Sequence, residues 1–191
     1  LVKVRFNAGQ KVKIMSGLTG ADVAKAILMD AGITDVKVLQ HQGFLSDHYN
    51  PLNKTLNLSP EVYNGRNASA AGVAAHEVGH AIQHAQGYFP MWLRSFIVPA
   101  ANVGSTLGPW LVIIGIMLMS FGKAIGQPLS IVGVLLFALT TLFTLVTVPV
   151  EFDASSRAKK ALARMDVVAQ GREYNTVSGV LFAAGLTYVA A

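Results

Sequence analysis

Of the 191 residues, 52% are hydrophobic and 13% charged, where roughly a quarter charged is usual for a soluble domain. Mean hydropathy is +0.47, which excludes a disordered chain, a coiled coil and a typical cytosolic enzyme. Without cysteine, any metal must be held by His, Asp or Glu, and the net charge of +5 is not gathered into a basic, aromatic-rich face, so nucleic acid is not an expected partner.

The first twenty residues carry Lys3, Arg5, Lys11 and Lys13 with no apolar run, so no cleavable signal peptide is expected. Gly17 to Ala31 predicts a helix with Thr19 as N-cap, a stripe of Val23, Ile27 and Leu28, and Gly32 as its stop. A short strand is expected at Val36–Leu39. Residues 43–51 read as turn, where Asp47, His48 and Asn50 suit turn chemistry as well as function. Thr55–Ser59 alternates like a half-buried strand and, if it lies at a sheet edge, offers backbone pairing to a substrate.

A helix is predicted from Asn67 or Ser69 to Gln86, ended by Gly87. Beyond Arg94 the only ionisable side chain before Glu151 is Lys123, and Leu107–Phe121 and Leu129–Val148 are the two predicted spans of a membrane hairpin. Gly104 and Gly108 form a small-xxx-small pair, although in so glycine-rich a chain the ordinary reading is coincidence. Pro149 is expected to separate the second span from a polar helix, Glu151–Arg164. The final stretch, 177–191, reads as the start of a possible further membrane helix. Three parts follow: 1–94, the hairpin 95–150, and 151–191. Arg94, Arg157, Lys159, Lys160 and Arg164 flank the hairpin's ends against Lys123 in its turn, so the polar part is expected to face the cytoplasm.

His76-Glu77-Val78-Gly79-His80 is the one strong motif. Four residues apart on a helix, His76 and His80 share a face and can direct two imidazoles at one ion, with Glu77 in reach of an ion-bound water. His84 lies a turn further on and is the weaker candidate for a third ligand. Glu151 is the better one, because a hairpin would return it to the membrane surface that the His76–His80 helix leaves. Its plain alternative is an acid favoured at a helix N-terminus. For a developing oxyanion the candidate donors are His48, Tyr49 and Tyr188, which otherwise serve as turn caps and an interfacial aromatic.

Together with Gly17-Leu-Thr-Gly-Ala-Asp-Val-Ala24, Gly43-Phe-Leu-Ser-Asp-His-Tyr49, Leu58-Ser-Pro-Glu-Val-Tyr63, Ala74–His84 and Pro149-Val-Glu-Phe-Asp-Ala154, these residues resemble the bacterial YugP-like neutral zinc metallopeptidases. That family is of gluzincin type and distantly similar to heat-shock membrane proteases and CAAX prenyl proteases. The resemblance implies a mainly α membrane protein, with a zincin-like metallopeptidase domain of helices and a small β-sheet into which the transmembrane hairpin is inserted. It implies Zn²⁺ held by His76, His80 and Glu151, with Glu77 as general base and catalytic residue. Where the distant relatives carry Asp, this chain has Ser155, so Asp153 or Ser155 is expected to orient a ligand histidine, with His84 a further neighbour of the site. It also implies a trimmed chain whose full form crosses a bacterial inner membrane four times, and membrane or membrane-proximal protein substrates. Two rival classes are an intramembrane protease of site-two type, for which the His76–His80 helix is too polar, and a membrane scaffold or binding protein with a structural or vestigial zinc site.

Overall fold

The computed structural model describes residues 1–189; the last two residues of the predicted 177–191 stretch lie outside the described residues. Helices dominate, in the order α1 (Val2–Gln10), α2 (Gly20–Asp30), β1 (Lys37–Gln40), β2 (His48–Asn50), β3 (Thr55–Leu58), α3 (Pro60–Tyr63), α4 (Ala68–Ala85), α5 (Phe89–Ser120), α6 (Gly126–Arg164) and α7 (Arg172–Val189). Two compact units result, one comprising Leu1–Tyr88 with the chain from Val150 onward, the other Phe89–Pro149.

In the first unit α4 is the central helix, packed by α1, α2, α3 and α7 and touching β2 and β3. Its run of Ala and Gly explains this: small side chains let neighbours approach on every side, and 14 of its 18 residues are buried. Asn67 caps it, accepting from Ala70 N at 3.0 Å, and Gly87 at φ +62° follows its end. Opposite, α2 starts with a full capping box between Thr19 and Asp22 and buries Val23, Ile27 and Leu28, the predicted stripe. Phe6, Leu56, Leu58, Val62, Leu162, Val177 and Leu181 complete the core.

Several expectations need correction. β3 is the middle strand of the order β1-β3-β2, parallel to β1 and antiparallel to β2, so Thr55–Ser59 is no edge and has no backbone to offer a substrate. Part of the presumed turn, His48–Asn50, is instead strand β2, paired from His48↔Asn57 to Asn50↔Thr55. Helix α6 runs through Pro149 without a break, so Glu151 sits inside a helix rather than at an N-terminus and the dipole alternative falls.

In the second unit, α5 and the first part of α6 are both long and apolar enough to cross a bilayer. The mean hydropathies of their most apolar windows are 1.7 and 2.5, and only 17% and 11% of those windows is buried, unlike the core helices of a soluble protein. The glycines there are not coincidental. A Cβ on Gly104 would lie 2.2 Å from Leu136 O, and one on Gly133 would lie 2.8 Å from Gly108 O. Glycine thus lets the two backbones touch, which corrects the ordinary reading of the small-residue pair.

Candidate metal centre

His76 and His80 fall on one face of α4, with ring centroids 4.8 Å apart and planes crossed at 80°. Helix α6 brings Glu151 to them, its Oε2 being 3.1 Å from His76 Nε2 and 3.5 Å from His80 Nε2. All three ligand atoms lie within 4.8 Å of one another, and the residues are 9%, 8% and 3% exposed. A buried carboxylate converging with two imidazoles is a donor set that suits a cation, which would offset the cost of burying the charge.

The close approach of the two helices depends on the glycine of the motif. A Cβ at Gly79 would lie 2.6 Å from the backbone oxygen of Ala154, so any side chain there pushes α6 away. Nearby groups then fix each ring. Gln83, fully buried, donates through Nε2 to Val150 O and to Asp153 Oδ2, both at 2.8 Å. That orients its amide, so Oε1 accepts from His80 Nδ1 at 2.9 Å and leaves the Nε2 lone pair for an ion. Asp153 is held in turn by Arg157 Nε at 2.5 Å. On the other ring, Ser155 Oγ lies 3.1 Å from His76 Nδ1. The two residues expected to replace the missing Asp therefore each serve a different histidine, Ser155 directly and Asp153 through Gln83.

Glu77 is positioned from the sheet: its Oε2 accepts from Tyr49 N at 3.0 Å. It shares with His76 and Glu151 a cavity of about 360 Å³, which Asp47 and Tyr188 also line. Burial and the charge of Glu77 push the Asp47 carboxyl above the ordinary range, against hydrogen bonds from Ser59 that lower it. His80 is pulled toward neutrality by burial, but contact with Glu151 and the charges of Glu77 and Glu151 outweigh that and raise it.

Other candidate residues have different partners. Nδ1 of His48 is 2.8 Å from Ser46 O and its Nε2 3.2 Å from Asn57 Nδ2, so its ring serves the strand pair. Tyr49 Oη is 2.8 Å from His84 Nδ1, which pairs these two outside the triad. Tyr188 alone of the three oxyanion candidates lines the cavity with Glu77. Sequence reasoning missed Gln83, although it sits three residues after His80 on the same helical face, and the backbone role of Tyr49, for which no side-chain signal exists.

A family model described as "Putative neutral zinc metallopeptidase" matches residues 1–191. The chain belongs to that family. It is 44% identical over 190 residues, 100% of this chain and 81% of the relative, to a Bacillus subtilis (strain 168) protein named "Putative membrane protease YugP". No solved structure matches it. The name of this metallopeptidase family specifies zinc, and the His76–His80–Glu151 group suits that ion. Zn²⁺ takes imidazole nitrogen and carboxylate oxygen, and three protein ligands leave one position open.

Proposed function

We propose that this metallopeptidase-family member is a membrane-integrated zinc endopeptidase of gluzincin type, with a zincin-like catalytic part. What carries the reading is one arrangement: two imidazoles and a carboxylate converge in burial beside a glutamate that faces the same cavity. His76, His80 and Glu151 would hold the ion. Bound there, zinc would supply a Lewis acid for the scissile carbonyl and lower the pKa of a water to about 7.

The remaining work falls to the chain itself. Glu77 Oε2 is tied to Tyr49 N, while Oε1 makes no hydrogen bond among the described residues. That oxygen takes the proton of the attacking water as the water oxygen bonds to the carbonyl carbon. The same carboxyl then gives the proton to the leaving amine as the C–N bond breaks. Tyr188, on the cavity wall, is the candidate second donor to the oxyanion.

The apolar helices α5 and α6 and the flanking Arg and Lys support a multi-pass protein of a bacterial inner membrane whose catalytic part faces the cytoplasm. Substrates are then membrane proteins or membrane-proximal peptide segments. Exchange of Glu77→Gln tests the chemistry: zinc stays bound and hydrolysis of a denatured protein falls by at least about a hundredfold, the scale of general-base catalysis. Unchanged hydrolysis, or none in the parent despite full zinc occupancy, favours a scaffold with a structural ion.

A further inference from the structure

We propose that the cavity beside Glu77 is a side-chain subsite that selects a large apolar residue next to the scissile bond; this rests on the peptidase reading. The cavity lining is of two chemical kinds. His76, Glu77 and Glu151 are polar, and Phe6 of α1, Leu45, Val73 of α4, and Leu181 and Ala184 of α7 supply apolar surface. At about 360 Å³ it lies within the range of ligand pockets, about 300–1,000 Å³. A peptide whose carbonyl reaches the three ligands has a neighbouring side chain only a few ångströms away, and this is the space that side chain meets.

The lining decides what fits. Phe6 and Leu181 are 1% and 2% exposed and firmly packed, while Val73 and Ala184 are partly exposed and so accessible to an entering group. An acidic side chain would meet the carboxylates of Glu77 and Glu151. A cationic one would lose its water against aliphatic walls, with Lys3 lining the same cavity as a like charge. The acids give it little return: Glu77 accepts from Tyr49 N through Oε2 and in the peptidase reading serves the attacking water through Oε1, Glu151 is engaged with both histidines, and Asp47 accepts from Ser59 N at 2.7 Å. Leucine, phenylalanine or methionine instead gains apolar contact without leaving a polar group unpaired.

The test uses the full chain in detergent, loaded with zinc. Two readouts are taken: binding of an isobutyl-substituted hydroxamate against acetohydroxamate, and mapping of the residues flanking each cut in denatured casein. The isobutyl probe binds about tenfold or more tighter in the parent, and large apolar residues dominate one side of the cuts. Ala184→Phe, which fills the cavity, removes the isobutyl advantage and moves the cuts to Gly, Ala or Ser. Val73→Ala, which enlarges it, moves both preferences toward bulkier groups and covers the case in which Ala184→Phe does not fold. Equal binding of the two probes in the parent, or an advantage that neither variant alters, overturns the subsite even when casein is cut. Retained isobutyl preference without any cutting leaves an apolar binding pocket and overturns the peptidase reading instead.

Discussion

Gly79 meets the backbone oxygen of Ala154 so closely that a methyl group there would sit 2.6 Å from it. The contact sets the distance between the helix that carries both histidines and the helix that carries Glu151. Gly79→Ala must therefore displace α6 backbone, not a flexible side chain, and overpacking of this kind costs about 1–3 kcal/mol. The expected outcome is a lower Tm together with weakened zinc binding, measured by thermal melting and chelator competition. Parental affinity for zinc would show that the helices can separate without moving Glu151.

Gln83 holds His80 in one tautomer while bonding Val150 and Asp153. Gln83→Met keeps the volume and removes all three bonds. Zinc affinity falls about 10- to 100-fold, the usual effect of losing such a support. Ser155→Ala, which leaves His76 without its Nδ1 partner, weakens binding in the same direction. Titration of each apo protein with zinc against a competing chelator reads both effects.

These supports divide what the sequence made legible from what it hid. The motif and Glu151 were readable because a helix repeats its face every three to four residues and an acid after a long apolar run is conspicuous. Gln83 looked like mere polarity, since nothing in a sequence shows that an amide is buried with three partners. Strand β2 was unreadable for another reason: His48-Tyr-Asn-Pro51 has turn character, and pairing with β3 and the Tyr49–Glu77 bond override it. Pro149 points to a helix break, yet α6 continues past it despite the missing N–H and the crowding of the ring against the preceding turn. Helix α1 escaped notice because its apolar face reduces to Phe6 and Gly9, buried by contact with α4 and α7.

Asp47 provides a pH test. Its carboxyl is raised in the fold above 3.8 by burial and by Glu77, so the folded chain binds this proton more tightly than the unfolded one. Stability from this group is fully present below about 3.8 and is lost as pH rises through the raised folded value. In the chelator-treated protein, Asp47→Asn removes that loss. The variant's Tm relative to the parent should therefore climb as pH increases from 4 toward neutrality. A Tm difference independent of pH would contradict the assignment.

The capping box of α2 supplies a control remote from the candidate site. Thr19 Oγ1 accepts from Asp22 N at 3.1 Å, and Thr19→Ala should cost about 0.5–2 kcal/mol of stability. Its zinc affinity should equal that of the parent, which separates general destabilisation from damage to the metal centre.

Metal content of the purified chain, measured beside that of Glu151→Ala, tests the central claim most directly. One zinc per chain in the parent, with binding abolished or weakened by orders of magnitude in the variant, is the predicted result. Zinc held equally well without Glu151 would contradict the account, because the ion would then sit somewhere other than between the two helices.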